Sequence, residues 1–247
     1  MPEITASRYL VQCGWADIPH LTEKTKEELR SSTPPHLLDA VEFGNPSLGA
    51  GAIYPLALSE VLIDPIEIPP YWPRAYALDV GWNRTAALWG AWDRSVDVVY
   101  LYTEHYRGQA EPSIHATAIK ARGDWIPGVI DPAARGRQQG DGQQLLHAYM
   151  SLGLNLTPAV NAVEAGIYAV WERLSTGRLK VFRTLMNFQA EYRLYRRDEN
   201  GKIIKEFDHL MDAARYLIVS GLHVATVMPA KRTGPVGHVI GDRVAGY

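Results

Sequence analysis

The sequence lacks the features that mark several protein classes. Cys13 is the only cysteine in 247 residues, which excludes an intramolecular disulfide framework and a thiolate zinc cluster. A lone cysteine of this kind is expected to be a small, buried or half-buried packing residue. No uninterrupted apolar run reaches the ~18–20 residues of a membrane span, and the N-terminus has no basic-then-apolar leader pattern. A soluble, cytosol-type protein is expected. Positive charge is not in excess: 25 Lys+Arg stand against 27 Asp+Glu, a formal net charge of −2. Any nucleic-acid partner must therefore be met by local patches. A Gly-Lys-Ser/Thr triplet is also absent, so the glycines between Phe43 and Gly51 read as a turn, not as a phosphate loop.

What is present is a 47% hydrophobic chain, enough for a sizeable core. Residues 1–73 read as irregular, with a strand over 8–13 and one helix N-capped by Thr22. Glu23, Glu27 and Glu28 in its early turns suit the helix dipole. Pro65, Pro69, Pro70 and Pro73 then mark a stiff linker. Residues 74–220 are the organised part. Strands are expected over 76–80, 85–92 and 96–106 from β-branched and aromatic content, and shorter ones over 127–131 and 154–157. Helical spacing appears over 113–121, 142–152, 163–174 and 208–219. Asn200-Gly201 predicts a hairpin over 192–207. Three early strands followed by alternating helices and strands imply an α/β domain with a mixed sheet. Residues 221–247, rich in glycine, read as a tail.

Chemistry concentrates in three acids at the ends of regular elements: Asp79, Asp131 and Asp212. Carboxylates on rigid supports suit hard cations, which take one or two such ligands each and keep water and phosphate as the others. Two ions ~3.5–4 Å apart can drive phosphodiester hydrolysis. Asp208 shares a helix face with Asp212 and suits the N-cap position, while His209 could orient water or phosphate. Residues 173–205 hold nine basic residues (Arg173, Arg178, Lys180, Arg183, Arg193, Arg196, Arg197, Lys202, Lys205) against Glu191, Asp198 and Glu199, a local +6. Arg135 and Arg137 follow Asp131. These patches suit sequence-independent phosphate contact, with Arg135, Arg137, Arg183, Arg193, Arg196, Arg197 and Lys202 as the candidate contacts. Trp82, Trp89, Trp92 and Trp125 are expected in the core or in packing.

Three motifs carry a resemblance: Ala77-Leu78-Asp79-Val80-Gly81-Trp82, Ile130-Asp131-Pro132-Ala133-Ala134, and Asp208-His209-Leu210-Met211-Asp212-Ala213-Ala214-Arg215-Tyr216. Together they resemble the nuclease domain of tailed-phage terminase large subunits. The segment Trp15-Ala16-Asp17-Ile18-Pro19-His20-Leu21 is similar to that family's link between ATPase and nuclease. The resemblance implies a ribonuclease H-like α/β fold with an auxiliary β-hairpin. It also implies a triad of Asp79, Asp131 and Asp212 with His209 and Asp208 beside it, and two Mg2+ or Mn2+ ions. Asp79 and Asp212 would hold one ion, and Asp79 with Asp131 the other.

The implied activity is cleavage of concatemeric viral double-stranded DNA during packaging in the bacterial host's cytoplasm. Portal protein and the small terminase subunit would be partners, and no membrane is involved. The family's ATPase motifs are missing here, which implies a fragment or a split gene. Alternatives are a Holliday-junction resolvase or transposase-like nuclease of the same fold, a silent docking domain, or a phosphate loop similar to that of sugar kinases at Asp79-Val80-Gly81.

Overall fold

The computed structural model describes residues 13–33, 38, 41–44, 51–135, 142–198 and 200–229. Thr22 caps the first helix, α1 (Glu23–Ser32), by accepting the Thr25 N–H, and no α1 residue is buried. A short helix, α2 (Leu58–Val61), leads into β1 (Leu62–Ile63). Then come β2 (Arg74–Asp79), β3 (Thr85–Asp93), β4 (Val98–Arg107), α3 (Pro112–Lys120), β5 (Gly128–Ile130), α4 (Gly142–Ser151), β6 (Leu156–Pro158) and α5 (Val163–Ser175). The described chain finishes with β7 (Leu179–Phe182), α6 (Met186–Leu194), α7 (His209–Tyr216), a π-helical segment Leu217–Gly221 and α8 (Leu222–Val224).

The strands form one sheet in the order β1-β7-β4-β3-β2-β5-β6. β2, β3 and β4 are antiparallel neighbours, while β5, β6, β7 and β1 join in parallel. This is the mixed sheet that the strand and helix pattern implies. Parallel joints need crossovers, and helices supply them, so both faces are covered. One face carries Ala75, Ala77, Leu88, Leu101 and Val129 against apolar residues of α2, α5, α6 and α7. The other carries Tyr76, Leu78, Trp89 and Ile130 against Ile119 of α3 and Tyr149 of α4. Gly90 lets the π segment lie close, since a β-carbon there would stand 2.8 Å from the Leu217 side chain.

Several expectations are corrected. Residues before 74 also join the sheet and its core: Tyr54, Leu58 and Val61 are buried there, and β1 extends the edge. Tyr54 packs at 5.8 Å on Tyr192 and 5.6 Å from Tyr195, a long-range contact with no local pattern to announce it. Past residue 220, Leu222 is buried and Thr226 pairs with Arg74. The hairpin over 192–207 shrinks to a turn with a single Arg197↔Ile203 bridge, because residues 192–194 belong to α6. Cys13 is exposed. Trp89 is fully buried, but Trp82 is 65% exposed. The strand over 8–13 lies outside the described residues except for Cys13. Among the described residues no helix is long and apolar enough to cross a membrane.

A buried histidine pair joins β4 to α3: His105 Nε2 and His115 Nδ1 are 2.9 Å apart, and His115 Nε2 lies 3.1 Å from the Ala110 carbonyl. Burial, then the neighbouring His115, pushes His105 down to about 4, and burial lowers His115 as well. Between the unfolded value of 6.5 and about 4, the unfolded chain binds protons that the folded one refuses. Stability is therefore complete above the unfolded value and falls as pH drops through that window. Melting temperature should decline across this range, and the double variant His105→Gln/His115→Asn should show a shallower decline.

Candidate functional site

Asp79 ends β2 and Asp131 follows β5. Leu78 pairs with Ile130 across these parallel strands, and the Asp131 N–H donates to the Leu78 carbonyl at 2.9 Å. The two acids are thus the next residues along neighbouring strands, which run ~4.8 Å apart. Alternation fixes their face. Ala75, Ala77 and Val129 belong to the core beneath α5–α7, and Asp79 and Asp131 continue that set.

The last long helix completes the arrangement. Leu210, Ala213, Ala214 and Leu217 are fully buried, which seats α7 against β2 and β3. His209, Asp212 and Tyr216 fall at i, i+3 and i+7, one face of the helix. The His209 Nδ1 lies 2.8 Å from Asp79 Oδ2, and the Tyr216 hydroxyl donates to Asp131 Oδ1 at 3.2 Å. The Ala133 N–H donates to the same Asp131 oxygen at 2.9 Å. Asp212 accepts from Arg215, with Nη2 at 2.7 Å, and from Lys205 at 3.1 Å. The Lys205 ammonium also reaches Asp208 at 2.9 Å.

Electrostatics ties the acids together. Burial raises the pKa of Asp79, the His209 contact opposes this, and the charges of Asp212 and Asp131 raise it further. Tyr216 is raised by burial and then by Asp131, Asp212 and Asp79, so it feels all three. His209 is raised chiefly by its hydrogen bond to Asp79. Burial opposes the charge on Lys205, but Asp212 and Asp208 together more than offset it. Among the described residues, however, no three His, Cys, Asp or Glu side chains come close enough to form a ready-made metal cluster. The three acids are neighbours, each held by a partner of its own: His209, Tyr216, and Arg215 with Lys205. The donor set still fits hard cations, because each Mg2+ or Mn2+ needs only one or two carboxylates alongside water and phosphate.

The other candidates divide. Asp208 occupies the N-cap position but makes no side-chain cap bond; its carboxylate turns to Lys205 instead. Arg183 pairs with Asp64 at 3.0 Å and Arg197 with Glu164 at 2.5 Å, while Arg173 and Arg178 both engage Asp97. The local positive excess is thus partly neutralised by acids distant in sequence. Arg193 also has an interaction partner. Arg196 lies at the bridge to Ala52, and Lys202 is exposed in the turn. Arg135 closes a 3-10 turn after Asp131, its side chain outside the described residues, as is all of Arg137.

Sequence reasoning passed over Glu191 and Tyr216. Glu191, only 2% exposed, sits on α6 and accepts from the Leu210 N–H at 2.6 Å and from the Tyr106 hydroxyl at 2.6 Å. It caps α7 from another helix. Glu104 of β4 does the same for α6, accepting from the Asn187 and Phe188 N–H groups. The start of α7 is thereby fastened to β4 through α6.

Residues 77–220 match the family model described as the terminase RNaseH-like domain. The chain belongs to this terminase nuclease family. It is 34% identical over 221 residues to the terminase large subunit of Salmonella phage P22, an alignment covering 85% of this chain and 44% of that protein. The chain therefore spans less than half the length of that relative. The P22 large terminase nuclease domain superposes with a TM-score of 0.68 at 32% identity, covering 73% of this chain and 96% of that one. The large terminase nuclease of thermophilic phage G20c, solved with bound cobalt, shares the fold at a TM-score of 0.51 and 14% identity, covering 69% of this chain and 97% of that one. The ribonuclease H-like fold is thus established for this sheet.

Removing the Glu191 carboxylate strips α7 of its cap and leaves two buried donors unpaired. Glu191→Ala should cost about 2–3 kcal/mol in urea unfolding. Glu191→Gln, which can still accept one of the bonds, should cost less.

Proposed function

We propose that this terminase nuclease domain is a divalent-metal-dependent endonuclease that cuts concatemeric viral double-stranded DNA during genome packaging. The observation that carries the reading is the convergence of three acids. Asp79 and Asp131 stand at adjacent strand ends, and α7 brings His209 against Asp79 and Asp212 within electrostatic reach of it. Asp79 and Asp212 would hold one Mg2+ or Mn2+ ion, and Asp79 with Asp131 a second; the cobalt of the G20c nuclease supports a divalent cation on this fold. When bound, the cations lower the pKa of an attacking water and offset charge on the leaving oxygen.

The chain's own residues prepare that chemistry. Tyr216 and the Ala133 N–H fix the Asp131 carboxylate in one orientation. His209, held by Asp79, can orient water or a phosphate oxygen. Lys205 and Arg215 balance Asp212 and Asp208, and Lys205, more exposed than its partners, can turn to a phosphate. Arg135, Arg137, Arg183, Arg193, Arg196, Arg197 and Lys202 would contact the DNA backbone. Solvent-exposed ion pairs such as Arg183–Asp64 are worth only about 0–1 kcal/mol, so exchanging the carboxylate for a phosphate costs little. The whole enzyme would work in the host cytoplasm with an ATPase, portal protein and small terminase subunit.

Asp79→Asn preserves shape and removes a charge that burial and two neighbouring acids disfavour. It should leave the fold at least as stable in thermal melting and abolish nicking and linearisation of plasmid DNA in Mn2+ or Mg2+. Wild-type-like cutting by this variant would refute the assignment.

A further inference from the structure

Two large aromatic side chains stand in solvent beside the carboxylate centre. Trp82, three residues after Asp79, is 65% exposed, and Phe207, two residues before His209, is 57% exposed. His209 lies 2.8 Å from Asp79, so the two segments that carry these rings lead away from one contact at the carboxylate centre. Chain geometry limits the Cα of Trp82 to about 11 Å from that of Asp79, and Phe207 to about 7 Å from His209.

Backbone contacts fix the turn that carries Trp82. The Trp82 carbonyl accepts from the Gln109 N–H at 2.8 Å, and the Thr85 hydroxyl donates to the Gly81 carbonyl at 3.0 Å. Gly108 backs so closely on this turn that a β-carbon would lie 2.1 Å from the Asn83 carbonyl oxygen. The turn is clamped to the end of β4 with the indole outward. Phe207 has φ of +56°, a left-handed conformation that bulky residues avoid and glycine adopts freely. An exposed phenylalanine in that conformation is strained without packing in return, and such strain gathers at binding sites.

Positive charge accompanies the rings. The Arg84 guanidinium stacks 4.5 Å from the Tyr106 ring centroid, and Arg107 is exposed at the end of β4. Aromatic faces next to guanidinium groups match a DNA strand, whose bases stack on rings while its phosphates take the cations.

We propose that Trp82 and Phe207 clamp the bases beside the scissile phosphodiester, holding that stretch of the duplex unstacked at the carboxylate centre. The clamp rests on the nuclease reading above. The test measures binding of a fluorescein-labelled duplex by anisotropy at several salt concentrations, with Asp79→Asn as the parent to prevent cutting. Trp82→Ala and Phe207→Gly should each weaken binding about tenfold while leaving the slope of log K against log salt unchanged, because an uncharged stack releases no counter-ions. Arg84→Ala should reduce that slope by about 0.9 per lost phosphate contact.

Phe207→Gly should keep or raise the melting temperature, which separates lost contact from lost folding. Trp171→Ala, which removes a ring on α5, should bind like the parent. Parent-like binding by Trp82→Ala and Phe207→Gly would overturn the clamp, as would an equal loss in Trp171→Ala. Trp82-dependent binding without cutting by the wild-type protein would uphold the clamp and overturn the nuclease reading. Failure of the parent to bind the duplex would overturn both.

Discussion

The site depends on where α7 begins. Two of the three acids are supplied by the sheet, and the hydrogen bonds of neighbouring parallel strands hold them side by side. The third acid and the histidine come from a helix of eight residues, too short to be stable alone. Its start is set by Glu191, a buried carboxylate that binds a backbone N–H of α7 and the Tyr106 hydroxyl at once. Glu104 does the corresponding work one helix earlier. β4, an interior strand of the sheet, therefore governs the position of residues that belong to no strand.

The same constraint explains why the acids stay apart. Three carboxylates within electrostatic reach repel one another, and each takes the partner its element offers. Asp79 takes a histidine, Asp131 a tyrosine and a backbone N–H, and Asp212 an arginine and a lysine. These are the same oxygen atoms a hard cation would use. Lys205 is the more replaceable cation, because its exposed side chain bridges two acids, whereas Arg215 is 2% exposed.

Much of this was legible in the sequence. Strands β2 to β5 and helices α3, α4, α5 and α7 announced themselves through periodicity and end signals, and Asp79 and Asp131 stood out as acids closing apolar runs. The segment 173–207 did not. Its basic residues suggested a solvated face and Asn200-Gly201 a hairpin, yet Leu179, Val181 and Phe188 are buried, and the charges of Arg173, Arg178, Arg183 and Arg197 are answered by Asp97, Asp64 and Glu164. Partners so remote in sequence leave no local pattern. Glu191 was hidden for the same reason, since a cap supplied by another helix carries no capping motif. Trp82 and Trp89 look alike as residues; only the turn clamped to β4 turns one outward while the strand buries the other.

The central claim is that Asp79, Asp131 and Asp212 form a cation-dependent hydrolytic centre. Anomalous diffraction from crystals soaked in Mn2+ tests it most directly. The account predicts peaks within coordination distance of these three carboxylates, with Lys205 withdrawn from Asp212. Soaked crystals with no peak there, or with manganese only at other positions, would contradict it.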